Sequence, residues 1–139
     1  MVDKALLARK VAAIQDAVAR VRAVLPPTAD ALGGDRTARE VVILNLFVAL
    51  QECLALATHW LADEGRDVPG SYREVFAALS ERGVLTREVA DRMAAASGLR
   101  NLVAHQYGEV DWNRIHAIAS SELGDLLAFT EQLARASGR

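Results

Sequence analysis

The 139-residue chain is poor in cysteine and carries little net charge. Its one cysteine, Cys53, excludes an internal disulfide and indicates a reducing compartment, so we expect a cytoplasmic protein. Cys53 lies inside an apolar helical pattern, which predicts a small core residue. With 16 basic and 18 acidic residues the formal charge is −2, too little for a broad basic surface that binds nucleic acid non-specifically. Any RNA would have to be held by a few well-placed cations.

The chain also lacks the features of an exported or membrane protein. Met1–Lys4 leads directly into a helical pattern, without the apolar segment of a signal peptide. The most apolar run, Val41–Leu50, has ten residues, whereas a membrane span needs about 20. We therefore expect this run to belong to a buried core helix and expect no membrane contact.

Strand signals are absent as well, which points to an all-α fold. No segment alternates polar and apolar residues with a period of two, and there are no internal repeats. Apolar residues recur instead at spacings of three and four along a first helix from about Asp3 to Leu25. Pro26 and Pro27 cannot continue that helix, and Thr28–Asp35 is predicted to be a loop.

Four further helices follow from capping residues and helix stops. Thr37 and Glu40 read as a capping box that opens a buried central helix, which ends at Gly65. The remaining helices are a short one from Ser71 to Gly83, one from Thr86 to about Tyr107, and a last one capped by Asp111. The predicted fold is an up-and-down bundle of four long helices plus one short helix, in a single domain over residues 1–139.

Polar residues gather near the end of the fourth helix. At 100° per residue, Asn101 and His105 share a face with Ala94 and Gly98, and such a bare face lets another backbone approach closely. Arg100 lies about 140° away from His105 by the same helical arithmetic. The two converge only if the helix loosens before His105, or if two copies of the chain pool their residues across a two-fold axis.

These residue types suit cleavage of an RNA backbone. A histidine can take the proton from a 2′-hydroxyl or give one to the leaving 5′-oxygen. An arginine can hold the phosphate with paired donors and stabilise its developing charge. An asparagine can orient the imidazole or donate to a phosphate oxygen. No metal is needed when the RNA supplies its own nucleophile, although the spacing alone fits surface or capping residues equally well.

The stretch Leu99–Tyr107 resembles the Arg-x4-His-x-Tyr signature of HepT-type toxins of the HEPN family. The flanking segments are similar to the same family, and the resemblance covers about residues 35–135; these segments are Gln51–Leu54, Val68-Pro69, Ser71–Glu74 and Glu109–Asp111. One position departs from the pattern, since Ala55 stands where an aspartate is frequent.

The resemblance implies a HEPN fold and a homodimer whose two signature segments face each other in a cleft. It implies a metal-independent endoribonuclease toxin of a type VII-like toxin–antitoxin pair, with Arg100 and His105 as the catalytic pair, Asn101 in support, and no cofactor. It also implies a cognate antitoxin, a nucleotidyltransferase of the MNT type, which transfers AMP to Tyr107. That modification would add bulk and charge beside the site and repel RNA.

Two other function classes fit the same sequence. One is a non-catalytic HEPN module that binds a nucleotide or a partner, and the other is a purely structural helical dimer. The presence of the arginine, asparagine, histidine and tyrosine together favours the ribonuclease.

Several polar and aromatic residues outside the signature have simpler interpretations. His59 and His116 lie on different helices from His105, without ligand spacing, so we expect no metal site. Glu52 is expected in a structural ion pair with an arginine of a neighbouring helix. Arg92 fits either a phosphate contact or a solvated surface residue, and Trp60 and Trp112 are expected to pack near helix ends.

Overall fold

The computed structural model describes residues 3–105 and 110–138, with the side chains of residues 100–105 outside that description. Within these ranges the chain forms helices and no strand, which confirms the predicted all-α class. The helices are α1 (Lys4–Val24), α2 (Ala29–Gly34), α3 (Arg36–Asp63), α4 (Tyr72–Glu81), α5 (Arg87–His105), α6 (Trp112–Ser121) and α7 (Leu123–Ser137).

Most helix ends lie where local chemistry predicts them. The carboxylate of Asp3 accepts from the first N–H groups of α1, and the hydroxyls of Ser71 and Thr86 do the same for α4 and α5. Gly65 and Gly83 follow α3 and α4 with φ of +73° and +76°. Glycine adopts this left-handed backbone without strain, so both act as helix stops, as predicted.

The predicted loop Thr28–Asp35 is wrong, because it contains the short helix α2. The hydroxyl of Thr28 accepts from the N–H of Ala31, and Leu32 is fully buried. The predicted capping box at Thr37 is also wrong. Asp35 caps α3 instead, with its carboxylate accepting from the N–H of Ala38 at 3.1 Å. An aspartate is at least as good a cap as a threonine, so the helix starts earlier.

The predicted single last helix is divided at Glu122 into α6 and α7. Just before the break, the hydroxyls of Ser120 and Ser121 donate to the carbonyls of His116 and Ala117 at 2.7 and 2.6 Å. Such bonds compete with the helical ladder. Glu122 is exposed, so the one polar residue on the predicted apolar face marks the turn.

Helix α3 is the centre of the bundle and contacts each of the other six described helices. Its buried residues include Leu46, Leu50 and Cys53, which confirms the predicted core helix, while Leu44 is 60% exposed. Among the described helices, α3 alone has the length and composition of a possible membrane span, and 44% of its most apolar window is buried inside the protein. Its contacts are those of the core helix of a bundle.

Helix α5 runs antiparallel to α3. An ion pair joins Arg82, just after α4, to Glu64 at the end of α3. Because α5 begins at Arg87, only five residues later, its start lies beside the end of α3 and packs against it. The end of α5 carries the candidate signature, and the chain continues from it to Trp112, which lies beside Arg39 in the first turns of α3.

Candidate functional site

The predicted catalytic residues occupy the last turns of α5. The backbone of Arg100, Asn101 and His105 is helical, and their side chains lie outside the described residues. Tyr107 belongs to residues 106–109, which are also outside them. The structure thus describes the helix that carries the site and the elements that hold it at both ends.

Helix α5 is continuous through His105. A loosened helix before His105 was one of two ways to bring Arg100 and His105 together, and the continuous backbone excludes it. On one regular helix the two positions remain about 140° apart. Of the two ways considered, the pooling of residues from two copies of the chain is the one that remains as a prediction.

The face of α5 that was predicted to carry small residues and to be open to another backbone is only partly open. Ala94 is 8% exposed and packs in the core of its own chain, which corrects its assignment to an open face. Gly98 is exposed, and a Cβ added there would meet no described atom within 4 Å. Leu99 is 2% exposed and fixes the rotation of α5 on the core immediately before the signature.

The far end of the signature leads into an anchored element. Val110 packs against the core, and the carboxylate of Asp111 accepts from the N–H groups of Asn113 and Arg114 at 3.0 and 3.3 Å. These bonds satisfy the first free donors of α6. The predicted cap at Asp111 is confirmed, and it fixes where the chain re-enters helix.

Arg39 of α3 contacts both the end of α2 and the start of α6. Its Nη1 donates to the carbonyl of Gly33 at the end of α2, and its guanidinium carbon lies 5.7 Å from the ring centroid of Trp112. Trp112 packs as predicted, with ring and Cβ atoms 3.9 Å from the position of a Cβ on Gly33. Sequence reasoning missed Arg39, because its partner Trp112 is distant along the chain and nothing near Arg39 in the sequence indicates that contact.

The two histidines outside the signature do not form a metal site with the described residues. His59 is exposed on α3, and Nε2 of His116 is hydrogen-bonded to the carbonyl of Pro26 at 2.8 Å. No cluster of three or more His, Cys, Asp or Glu is placed to hold a metal ion in the ranges the structure describes. His116 instead ties α6 to the turn after α1.

Two charged residues have partners that sequence reasoning left open or misassigned. Glu52 pairs with Lys10 of α1 at 2.8 Å, so the expected arginine is wrong while the structural ion pair is confirmed. Arg92 contacts both Glu88 and Asp125, at 2.7 and 3.0 Å. The hydrogen bond that Arg92 donates to Asp125 and the charge of Glu88 raise the pKa of Arg92. With two carboxylates beside it, Arg92 is a neutralised surface residue.

A cleft of about 370 Å³ lies at the opposite end of the bundle, between the ends of α3 and α4. Its lining is a mixture of apolar, acidic and basic residues, namely Leu61, Arg66, Asp67, Ala78, Glu81 and Arg82. Among the described residues, the lining has two basic and two acidic side chains, so its formal charges cancel. The end of α5 therefore remains the candidate site.

A family model described as ribonuclease HepT-like matches residues 14–133, which include the whole of α5 and the signature. This chain belongs to the HepT-like ribonuclease family. The HepT-like chain is 25% identical over 126 residues to the mRNA nuclease HepT of Shewanella oneidensis, covering 91% of this chain and 94% of that one. It is 33% identical over 60 residues to the tRNA nuclease HepT of Aphanizomenon flos-aquae, covering 43% and 41%.

The solved structures agree with this family. The tri-AMPylated HEPN toxin of Shewanella oneidensis, in complex with its MNT antitoxin, superimposes with a TM-score of 0.85 at 25% identity, covering 97% of this chain and 99% of that one. The predicted HEPN fold and the predicted ribonuclease toxin of the HepT type are therefore confirmed. The individual site residues and the homodimer remain predictions.

Proposed function

We propose that this HepT-like ribonuclease cleaves RNA without a metal ion, through Arg100 and His105, as the toxin partner of an MNT-type antitoxin in the cytoplasm. The observation that carries the proposal is the position of the signature. Its catalytic pair lies in the last turns of a helix that stays regular through His105, within a family whose members are ribonucleases.

The chemistry needs only groups present in the chain and in RNA. His105 of one copy takes the proton of the 2′-hydroxyl, whose oxygen attacks the adjacent phosphorus. The bond from phosphorus to the 5′-oxygen then breaks, and His105 of the other copy donates a proton to that leaving oxygen. Arg100 holds the two non-bridging oxygens with paired donors, and Asn101 orients the imidazole or the phosphate. The products are a 2′,3′-cyclic phosphate and a free 5′-hydroxyl.

A homodimer completes this arrangement. Because Arg100 and His105 lie about 140° apart on one regular helix, two facing copies of α5 are needed to surround a single phosphate. Gly98 supports such an approach, since it is exposed and the space beyond it is open. A two-fold cleft would hold two arginines, two asparagines and two histidines, enough for one acid and one base.

Regulation by AMP transfer follows from the position of Tyr107. In the sequence it lies two residues beyond His105, within the signature itself. The Shewanella oneidensis toxin of the same fold is tri-AMPylated and bound to an MNT antitoxin. AMP on Tyr107 would place a negative phosphodiester beside the imidazole and repel the RNA phosphate.

The test is cleavage of a labelled RNA in the presence of EDTA, with analysis of the product ends. We expect undiminished cleavage and a 2′,3′-cyclic phosphate. His105→Ala should lower the rate about 10²–10⁴-fold, and Arg100→Lys should restore little because the paired-donor geometry is lost. A requirement for Mg²⁺ or a 5′-phosphate product would contradict the proposed roles, and cleavage that survives His105→Ala would place the site elsewhere.

A further inference from the structure

We propose that Arg39 is a positioning residue of the ribonuclease site, because it holds the start of α6 and so fixes where the signature segment leaves α5. The inference rests on the proposed function of that segment. Arg39 touches no RNA in this account, and it acts through Trp112 and the chain that leads back from it to His105.

The geometry of Arg39 makes it a connector of helices. It belongs to the first turns of α3, donates to the Gly33 carbonyl of α2, and lies over the Trp112 ring of α6. Gly33 borders the same ring, at ordinary van der Waals distance from the site of its missing Cβ. A cation over an indole face is attracted by the ring quadrupole, and the carbonyl fixes the orientation of the guanidinium.

Trp112 is seven residues beyond His105, and Tyr107 is five residues before Trp112. An extended chain spans at most about 3.6 Å per residue, so Trp112 lies within about 25 Å of His105 at the end of α5. Leu99, 2% exposed, anchors the segment before the signature, and Ile115, fully buried, anchors α6 after it. A short segment between two fixed points has few paths, so a displacement of the start of α6 would be passed on to the signature.

Loss of Arg39 should displace the first turn of α6 without unfolding that helix. In the wild type, Ile115 is fully buried and His116 bonds to the Pro26 carbonyl at 2.8 Å. Neither contact involves Arg39, so both should persist without it. The effect should therefore appear in catalysis rather than in global stability, because misplacing a catalytic group by about 1 Å can lower a rate on the order of 10²-fold.

The experiment compares Arg39→Ala and Arg39→Lys with a control, Arg20→Ala. Arg20 forms an exposed pair with Asp16 on α1. We expect Arg39→Ala to lower kcat about 10–100-fold, with KM and the melting temperature nearly unchanged. Arg39→Lys should recover only part of the loss, because an ammonium can bond to Gly33 but lacks a planar group to lie over the ring. Arg20→Ala should match the wild type.

A second readout separates the possible failures. In a Trp60→Phe background, Trp112 is the remaining tryptophan, and its fluorescence should shift to longer wavelength in Arg39→Ala as the ring becomes more solvated. If the wild type does not cleave RNA, the proposed function fails and this inference fails with it. If the wild type cleaves and Arg39→Ala matches it in kcat, the proposed function stands and the positioning role of Arg39 is wrong. A loss that follows only the unfolded fraction would also overturn it.

Discussion

Among single residues, Cys53 shows how burial controls the ionisation of a side chain. Its thiol lies at the centre of α3 with no exposed surface. Burial raises the pKa of the Cys53 thiol far above its usual range, and the adjacent negative charge of Glu52 adds to the effect. The neutral thiol is a poor nucleophile. Cys53 therefore contributes packing to the protein and takes no part in RNA cleavage.

This burial predicts a specific pH dependence of stability. Below the usual thiol pKa of about 8.5, Cys53 is protonated in both states and contributes no pH dependence. Above it, only the unfolded chain releases the proton, so the free energy of unfolding should fall by up to about 1.4 kcal/mol per pH unit. Denaturant unfolding between pH 7 and 10 should show this fall in the wild type and less of it in Cys53→Ala. Equal slopes would mean that the thiol ionises in the folded state.

Tyr107 supports a prediction about regulation. Co-expression with an MNT-type nucleotidyltransferase should yield protein that carries one or more AMP units on Tyr107 and no longer cleaves RNA. Tyr107→Phe should keep most of its cleavage activity and escape this modification, because only the hydroxyl is lost. Intact-mass and peptide spectra of the co-expressed pair measure both effects. An inhibited pair with unmodified Tyr107 would point to inhibition by complex formation alone.

Residue roles were predictable from the sequence only where the partner is close in the chain. The carboxylate of Asp111 caps a helix through N–H groups two and three residues away, and its role was evident. Glu52 was expected to pair with a cation, but its partner Lys10 is 42 residues away. Nothing local distinguishes that lysine from an arginine of another helix. The contact of Arg39 with Trp112 was missed because that partner, too, is distant in the sequence.

The helices, too, were predictable where the cause of a boundary is local in the sequence and not where it depends on distant contacts. The stops at Gly65 and Gly83 need only a local left-handed backbone, so they were predicted. The short helix α2 was not, since its six residues form a stable helix only through burial of Leu32 and its contact with α6. Isolated helices of this length are not stable in water. The break at Glu122 likewise depends on serine hydroxyls that compete with the backbone.

The dependence of α2 on one side chain can be measured. Leu32 is fully buried, so Leu32→Ala should lower the free energy of unfolding by about 2–5 kcal/mol through lost packing and the cavity left behind. The same change at Leu44, 60% exposed on α3, should change it by less than about 0.5 kcal/mol. Denaturant unfolding of both variants gives the comparison. A small loss at Leu32 would mean that α2 is dispensable for the fold.

At the scale of the whole molecule, the proposed function needs two copies of the signature, one from each of two chains. Its charge is −2, so long-range attraction contributes little to RNA binding and the contacts inside the proposed cleft must supply it. The family and activity class were recognisable from the order of residues in the signature and its flanks. Spacing alone left two arrangements of Arg100 and His105 open, a helix that loosens and a pair of copies, and the pairing of copies stays a prediction.

The two-copy site predicts that dimerisation and activity are lost together. In Gly98→Leu, the added side chain would enter the open space beyond α5, where a second copy is expected. Sedimentation should show weaker dimers, and RNA cleavage should fall in parallel, while the folded monomer keeps its helical content. Gly124→Leu is the control, since Gly124 on α7 is also open. A wild-type monomer at micromolar concentration would contradict the shared cleft.

The central position of α3 also determines which parts of the protein can open separately. A helix that contacts six others cannot open until all of them have separated, so its amides should exchange with solvent only by global unfolding. The start of α6 has fewer constraints: the clamp of Arg39, the Asp111 cap and the buried Ile115. Its amides should therefore exchange faster than those of α3. Under the proposed regulation, local opening at the start of α6 would give an antitoxin access to Tyr107 while α3 stays folded.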